Sequence, residues 1–256
     1  MRIASLVPSL TELLFTLDLS GSIVARTGFC IHPRAGVRRI PKIGGTKDVD
    51  IDALLATRPS HLIVNIDENK KETIAALRPH IPEIVVTHPL TPDDNLDLYR
   101  EFGRLFDRES ISAELAAQYA EARDDLARAT RASRPLKVLY LVWKDPWFTV
   151  ARSTYVSSML AGAKLDTLPA TSATRYPILE EADPAWHAAD VILLSSEPYA
   201  FRQKHADELT RALRIPKRIA LVDGEVLSWY GSRAIAGMRY LRDLRAQIDA
   251  QLARRN

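Results

Sequence analysis

Aromatic side chains in loops that follow predicted strands are the residues of this sequence best suited to bind a ligand. All of the tryptophans lie in the second half of the chain, and several stand beside a turn or a proline. The residues concerned are Trp143, Trp147, Tyr176, Trp229 and Tyr230. Flat apolar side chains at the carboxyl ends of strands offer a large ligand much contact area and lose little rotamer freedom on binding. The alternative interpretation is that two or three of them cover the hydrophobic core.

The sequence gives weaker support for a metal site or a catalytic site. Cys30 and His32 would supply a thiolate and an imidazole two residues apart, but no second ligand pair is visible. Cys30 is the single cysteine, which excludes an intramolecular disulfide and a multi-cysteine metal site, and we expect it to pack beneath a loop. None of the usual catalytic or nucleotide-binding motifs is present. We therefore predict neither catalytic residues nor protein metal ligands, although a hydrolase triad that assembles through space stays open.

Length and composition are those of a soluble globular protein. The chain has 256 residues, of which 46% are apolar and 26% charged. It contains no uninterrupted apolar stretch of about 18 residues, so we expect no membrane span. The net charge of +3 is dispersed, which does not favour a nucleic-acid partner. The amino terminus lacks the apolar region of a secretory signal, so the chain either stays inside the cell or is a mature form restarted at a methionine.

Strands that alternate with helices must position the candidate residues. Short apolar runs bounded by turns predict strands at 3–7, 23–26, 62–65, 84–87, 138–143, 191–195 and 219–222. Because amphipathic stretches lie between these runs, the sequence predicts an α/β fold with parallel sheets. Ser9 and Glu12 have the spacing of a capping box at the start of the first helix.

A long helix near the middle of the sequence predicts how the chain is divided. Residues 107–132 contain no glycine or proline, and their larger apolar side chains share one face of a helix about 39 Å long. This predicts an N-terminal lobe at 1–106, a connecting backbone helix at 107–132 and a C-terminal lobe at 133–256. The pattern of helix and strand at 52–65 is repeated at 181–195, which favours two similar lobes with a ligand cleft at their strand ends. The alternative is an ordinary crossover helix within one sheet.

Several segments resemble one family of binding proteins. The opening Arg2-Ile-Ala-Ser-Leu-Val-Pro-Ser-Leu-Thr-Glu-Leu-Leu-Phe15 is similar to that of the helical-backbone (class III) substrate-binding proteins of ABC importers. The segments 29–33, 41–45 and 51–64 follow in the expected order, and 181–193 and 229–233 continue the resemblance through the second half. Within the class, the sequence is most similar to the vitamin B12-binding members and their relatives.

The resemblance implies two α/β lobes joined by one rigid helix, with a corrinoid, haem or iron–siderophore held between them. It implies no catalysis and no protein-bound cofactor. The function would be delivery of the ligand to an ABC permease and its ATPase by a monomeric protein in the periplasm or another extracytoplasmic space. A corrinoid is the ligand that the aromatic residues favour.

The resemblance also assigns roles to individual residues. It places Phe29, His32, Tyr176 and Glu225 at ligand-contacting positions, the last as an acid facing corrin amides. It gives Glu72 and either Glu181 or its neighbour Glu180 the role of exposed acids that dock onto permease arginines. One departure is Asn65-Ile66, which stands where the B12 binders have a tryptophan.

The sequence is also compatible with other functions. An anionic iron–siderophore would require arginines in the cleft, and Arg26, Arg175 and Arg233 are the candidates. Haem binding by the same fold is a further alternative. The missing signal sequence also leaves room for a cytosolic enzyme, or for an intracellular carrier or sensor on the same scaffold.

Overall fold

The chain forms two compact units, each of which contains segments that are distant in sequence. The structure, a computed structural model, describes residues 1–213 and 218–253. Unit 1 comprises Met1–Pro89, Asn95–Ala116 and Trp229–Arg233. Unit 2 comprises Leu90–Asp94, Ala117–Ser228 and the chain from Ala234 onward. The predicted lobe bounds at 106 and 133 remain a prediction.

Unit 1 is built on a parallel sheet. Its strands are β1 (Ile3–Ser5), β2 (Ile23–Arg26), β3 (His61–Asn65) and β4 (Glu83–Thr87). They are arranged in the order β2-β1-β3-β4, and every pair is parallel. The helices in this part of the chain are α1 (Pro8–Thr16), α2 (Arg34–Val37), α3 (Ile51–Ala56), α4 (Lys71–Leu77) and α5 (Asp94–Leu105). All residues of β1 and the last four residues of β3 are buried, so both faces of these strands are covered, which explains the continuous apolar runs of the sequence.

Unit 2 repeats this strand order. Its parallel sheet contains β5 (Leu136–Leu141), β7 (Leu165–Thr167), β9 (Val191–Ser195) and β10 (Arg218–Val222) in the order β10-β9-β5-β7. A short antiparallel ribbon is formed by β6 (Trp147–Phe148) and β8 (Ile178–Leu179). The helices are α7 (Tyr155–Gly162), α8 (Ala185–Ala188), α9 (Gln203–Leu213), α10 (Gly224–Ser228) and α11 (Arg233–Ala253). In both sheets the first strand of the unit lies inside, the second lies at one edge, and the third and fourth follow on the other side.

All seven predicted strands are confirmed, and the α/β class with two lobes is confirmed with them. The sequence did not reveal β6, β7 and β8, because each has only two or three residues and shows no periodicity over such a length.

The predicted long helix is present as α6 (Glu109–Ala129), and it contains the boundary between the units, at Ala116 and Ala117. It begins two residues later than predicted because Asp107 adopts a left-handed backbone conformation with φ of 54°. Among the described residues, no helix is both long and apolar enough to cross a membrane.

The predicted capping box at Ser9 and Glu12 is wrong. Helix α1 starts at Pro8, two residues earlier than a Ser9 N-cap would place it, with Val7 as the N-cap and no side-chain capping bond. Proline suits this first helical position because it has no N–H to satisfy and its φ is already helical. The Glu12 carboxylate therefore does not cap the helix and forms an ion pair with Arg233 instead.

Candidate functional site: an aromatic cavity in unit 2

The strand order of unit 2 creates a crevice at the carboxyl ends of β5 and β9. These neighbouring central strands connect onward in opposite directions, to β7 on one side and to β10 on the other. Open α/β sheets bind ligands at such a point, because the loops diverge there and leave space above the strand ends. A cavity lies at this point of the sheet.

The cavity has a volume of about 460 Å³ and mostly apolar walls. Its lining includes Tyr140, Val142, Trp143, Phe148, Tyr176 and Pro198. Trp143 is 42% exposed and Tyr176 is 51% exposed, although both are large aromatic residues. The Trp143 ring packs edge-on against Tyr199, with ring centroids 5.6 Å apart, which fixes the orientation of the indole. Two of the aromatic residues predicted from the sequence thus meet in one cavity.

A chain of hydrogen bonds supports the polar side of the cavity. The Tyr140 hydroxyl donates to Ser195 Oγ at 2.9 Å, and Ser195 Oγ donates to the backbone carbonyl of Glu197 at 2.6 Å. Burial raises the pKa of Tyr140, so its hydroxyl keeps its proton and remains a donor at neutral pH. The Ser228 hydroxyl lies 2.9 Å from Glu197 Oε1 and 2.7 Å from the Gly224 carbonyl, and its one proton can be donated to either oxygen. The strand β9 and the short helix α10 therefore hold the Glu197 carboxylate at the cavity wall.

Gly224, at the start of α10, lies against the same loop. A Cβ at this position would collide with Ser195 Oγ and Glu197 Cγ. Its backbone N–H donates to Ser196 Oγ at 2.9 Å. The absence of a side chain at Gly224 is what allows α10 to approach the loop after β9 and to bring Ser228 to Glu197.

Trp147 lies outside the cavity at the strand ends. Its ring stacks on Phe201 with centroids 6.0 Å apart and meets Trp186 edge-on at 5.8 Å. Both partners belong to the buried apolar cluster of unit 2. Trp147 also lines a second cavity of about 390 Å³, together with Glu181 and the ion pair of Lys144 and Glu208. The interpretation that some of the aromatic residues cover the core therefore applies to Trp147 and Trp186.

Glu225 does not line the aromatic cavity. It lies in the first turn of α10 and is half-buried, one turn before Ser228. The acid at the cavity wall is Glu197.

A second group of predicted site residues is brought together in unit 1. The Arg233 guanidinium forms two hydrogen bonds with the Glu12 carboxylate, at 2.7 and 2.8 Å. It also lies over the Trp229 ring, 4.6 Å from the centroid. His32 packs edge-on against the same ring at 5.5 Å. Phe29, in the loop before His32, is 62% exposed. A ligand-contacting role for these residues stays a prediction.

The carboxyl ends of the strands in unit 1 are occupied by hydrogen-bonded polar side chains. Asn69 Oδ1 accepts from the Asn65 N–H at 2.8 Å, and Asn69 Nδ2 donates to the carbonyls of Thr46 at 3.1 Å and Leu6 at 3.4 Å. Asn65 Oδ1 in turn accepts from the N–H of Asp67 at 2.8 Å. Both asparagines are buried, so their amides organise the loop after β3 from within.

Tyr230 is buried beside this loop. Its hydroxyl donates to Glu68 Oε1 at 2.8 Å. Burial, followed by the charge of the Glu68 carboxylate, raises the pKa of Tyr230 well above its ordinary value. Tyr230 therefore anchors the segment Trp229–Arg233 in unit 1 through an internal hydrogen bond.

Cys30 is buried, as expected. Its Sγ lies 3.1 Å from Thr11 Oγ1 and 3.2 Å from Thr27 Oγ1. Burial raises the pKa of the thiol, which keeps it protonated and unreactive. Among the residues that the structure describes, no group of three or more histidine, cysteine, aspartate or glutamate side chains could hold a metal ion.

Arg26, one of the arginines considered for an anionic ligand, has a structural role. It is 4% exposed, and its guanidinium donates to the carbonyls of Val37, Thr27 and Cys30 at 2.8 to 3.1 Å. Arg26 is therefore not available to a ligand.

The acids predicted to dock onto a permease are all exposed. Glu72 lies in the first turn of α4 in unit 1, and Glu180 and Glu181 follow β8 in unit 2. The Glu180 carbonyl accepts from Trp186 Nε1 at 2.9 Å, which fixes the backbone there and leaves the carboxylates at the surface. Their docking role stays a prediction.

Sequence reasoning missed Tyr140, Phe148, Glu197 and Ser228 as cavity residues. One signal was available for Glu197, because Ser195-Ser-Glu-Pro-Tyr199 puts an acid directly after a buried strand. Tyr140 gave no such signal, since a tyrosine inside an apolar run reads as a core residue. Ser228 meets Glu197 only through the fold.

Comparison with known proteins places the chain among binding proteins. The family described as periplasmic binding protein matches residues 3–212. The periplasmic vitamin B12 binding protein BtuF of Vibrio cholerae has 17% sequence identity, with 97% of each chain covered and a TM-score of 0.81. A comparison with curated protein sequences finds no match.

Two haem-binding structures also have a similar fold. The periplasmic haem-binding protein RhuT from Roseiflexus sp. RS-1, in apo form, is 24% identical, with 96% of this chain and 97% of that chain covered and a TM-score of 0.77. The periplasmic haem-binding protein HutB of Vibrio cholerae is 21% identical, with 95% and 98% covered and a TM-score of 0.78. At these identities the likeness establishes the fold.

Proposed function

We propose that this chain, which belongs to the periplasmic binding protein family, is the solute-binding component of an ABC importer and that its solute is a corrinoid or a related metal chelate. The observation that carries the proposal is the cavity of about 460 Å³ at the carboxyl ends of β5 and β9, with Trp143 and Tyr176 exposed in its wall. Aromatic walls of this kind suit the flat apolar faces of a macrocyclic chelate. Structures of similar fold that bind vitamin B12 and haem support the same class of solute.

Charge favours a corrinoid over an anionic iron–siderophore. Of the three candidate arginines, Arg26 is committed to backbone carbonyls and Arg233 is paired with Glu12, whereas Arg175 directly precedes Tyr176 of the cavity without itself belonging to the lining. The cavity itself carries the carboxylate of Glu197 in its lining. An anionic chelate would meet a like charge there, whereas the amide side chains of a corrin ring can donate hydrogen bonds to it.

Binding is tested by titrating the purified protein with cyanocobalamin, haem and a ferric siderophore, followed by calorimetry and by the absorbance of the chelate. We expect saturable binding of cyanocobalamin at one site. Preferential binding of haem or of the siderophore would reassign the solute within the metal-chelate class. No binding of any of the three would overturn the proposal.

Variants locate the binding site. We expect Trp143→Ala and Tyr176→Ala each to weaken binding about tenfold, since a buried aromatic contact contributes on the order of 1–2 kcal/mol. Leu221→Ala is the matched control, because Leu221 is a large apolar residue of unit 2 that is 43% exposed and lies outside the cavity lining. Equal affinities in all three variants would place the ligand elsewhere.

Delivery to a permease completes the proposed function. We propose that Glu72 on unit 1 and Glu181 with Glu180 on unit 2 interact with cationic residues of the permease, outside the cytoplasm. Exposed acids of this kind accelerate association more than they strengthen the final complex. The double variant Glu72→Gln/Glu181→Gln should bind the solute normally and reduce ATP-driven uptake into vesicles that contain the permease and ATPase. Unchanged uptake would instead favour an intracellular carrier.

The proposal includes no reaction catalysed by the chain itself. The family and the structural relatives are binding proteins, and the polar groups of the cavity form hydrogen bonds that support its wall. An enzyme on the same scaffold would be revealed by turnover of the bound chelate, which the absorbance titration also detects.

A further inference from the structure

We propose that Glu197 is a specificity-determining residue, which makes the aromatic cavity select solutes that present a cationic or N–H-donating edge and reject solutes that present carboxylates. This inference rests on the proposed function for the identity of the solute, but the charge preference itself follows from the cavity.

The first observation is the composition of the cavity wall. Among the described residues that line it, Glu197 is the one with a charged side chain. The remaining lining is apolar or aromatic, apart from the hydroxyls of Tyr140, Tyr176 and Ser228. Electrostatic interactions are stronger beside apolar walls than in open water, because less solvent screens them. The Glu197 carboxylate therefore contributes a negative potential at the wall that a bound solute contacts.

The second observation is that the fold holds Glu197 in place on both its main chain and its side chain. Ser195 Oγ donates to the Glu197 carbonyl at 2.6 Å and accepts from its N–H at 3.3 Å. On the side chain, Glu197 Oε1 can accept from the Ser228 hydroxyl at 2.9 Å. Gly224 gives α10 the close approach that this second contact needs. A carboxylate fixed in this way loses little conformational freedom when a solute binds, so more of its interaction energy contributes to affinity.

The chemistry of the wall defines the class of solute. A carboxylate accepts hydrogen bonds and attracts positive charge, and hydrogen bonds to charged groups are stronger than those between neutral groups. A corrin ring, with its peripheral carboxamides, satisfies this requirement, and a cationic corrinoid satisfies it better. The propionates of haem would face like charge at the same wall. The resemblance pointed to Glu225 for the contact with corrin amides, whereas the cavity lining points to Glu197.

The test compares Glu197→Gln with the wild type on probes of opposite charge. The cationic probes are aquocyanocobinamide and thioflavin T, and the anionic probes are haemin and anilinonaphthalene sulfonate. Glutamine keeps the size of the side chain and an oxygen that can accept from Ser228. Glu121→Gln is the matched control, since Glu121 is an exposed glutamate of unit 2 on α6, and its replacement changes the net charge equally.

We expect Glu197→Gln to weaken binding of the cationic probes about tenfold and to strengthen binding of the anionic probes severalfold. Glu121→Gln should leave all four affinities within twofold of the wild type. The proposal is overturned if Glu197→Gln changes both classes of probe equally or not at all, or if Glu225→Gln produces the change of preference in its place. Failure of both dyes to bind would also overturn it, because an accessible apolar cavity must accept them.

The outcome separates this inference from the proposed function. If neither cobinamide nor haemin binds, but the two dyes still reverse their preference in Glu197→Gln, the metal-chelate function fails and the charge selectivity stands. If cobinamide binds with the same affinity to the wild type and to Glu197→Gln, the function stands and the role of Glu197 is refuted.

Discussion

The two sheets of this protein have the same strand order but differ at their carboxyl ends. In unit 1 the ends of β1 and β3 are filled by the side chains of Asn65 and Asn69, which hydrogen-bond to the surrounding backbone. In unit 2 the ends of β5 and β9 open into an apolar cavity. The topological crevice is present in both sheets, so topology alone does not decide whether a cavity forms at the strand ends.

The side chains that follow the strands account for the difference between the carboxyl ends of the two sheets. Buried amides have donors and acceptors that must be satisfied, so in unit 1 they draw the loop after β3 onto the strand ends. In unit 2 the polar chain from Tyr140 through Ser195 to Glu197 occupies one side of the strand ends. Aromatic side chains occupy the other side and leave space. We therefore expect substitutions at the strand ends of unit 1 to affect stability, and substitutions at the strand ends of unit 2 to affect binding.

The largest effect on stability is expected for Asn69→Ala. Asn69 is 4% exposed, and its amide makes three hydrogen bonds to backbone groups. Alanine would leave those groups buried without partners, so the free energy of unfolding should fall by about 3 kcal/mol. Urea denaturation measures the change. The matched variant Ser196→Ala removes one hydrogen bond from an exposed residue at the strand ends of unit 2. It should lower the free energy of unfolding by less than about 1 kcal/mol. Similar losses in the two variants would contradict the proposed contrast.

A second prediction concerns alkaline pH and Tyr230. The pKa of Tyr230 is raised in the folded protein, whereas an unfolded tyrosine loses its proton near pH 10. Stabilisation by the protonated hydroxyl is thus complete below pH 10 and declines as the pH rises toward the folded pKa. Between pH 9 and pH 11 the stability advantage of the wild type over Tyr230→Phe should shrink by about 1 kcal/mol. The comparison uses denaturation curves at both values, with the exposed Tyr176→Phe as the control. A constant difference would show that Tyr230 is accessible to water.

Ser228→Ala, at the strand ends of unit 2, should have a smaller effect on stability. Ser228 is half-buried, and its hydroxyl lies within hydrogen-bond distance of Glu197 Oε1. Its loss should therefore lower the free energy of unfolding by about 1 kcal/mol or less. The charge of Glu197 remains, so the preference for cationic over anionic probes should be kept while the affinity for both classes changes by less than about threefold. Loss of the preference would show that Ser228 contacts the solute itself.

A moderate effect on stability is expected for Trp143→Ala, together with a large effect on binding. Trp143 is 42% exposed and packs edge-on against Tyr199, so its removal should lower the free energy of unfolding by about 1–2 kcal/mol. Thermal denaturation of the variant without solute measures this directly. A loss above about 2 kcal/mol would mean that Trp143 is a core residue like Trp186, which is 2% exposed.

Much of the fold follows from local patterns in the sequence. Strands such as Val191–Ser195 are apolar, short and bounded by turns, so their existence and type were predictable. The long α6 was predictable because it contains neither glycine nor proline. The start of α1 was mispredicted because two local signals competed there, and Pro8 at the first helical position prevailed over Ser9.

The candidate site was only partly predictable, because long-range contacts define it. Trp143 and Trp147 are four residues apart and look alike in sequence, yet one lines the cavity and the other packs against Phe201. Ser228 meets Glu197 across 31 residues. Arg233 meets Glu12 across 221 residues. No local pattern predicts contacts between residues so far apart in the chain. The sequence could therefore indicate that aromatic residues are candidates for a ligand site without indicating which of them lie together.

The segment Trp229–Arg233 has a consequence for the way this protein is made. Unit 1 includes these five residues, which bring it the Tyr230 hydrogen bond to Glu68 and the Arg233 ion pair with Glu12. During synthesis the sheet of unit 1 is complete once Thr87 has left the ribosome, but its last packing partners emerge only with residue 233 of 256. Unit 1 therefore cannot form these two contacts until nearly all of the second unit has been translated.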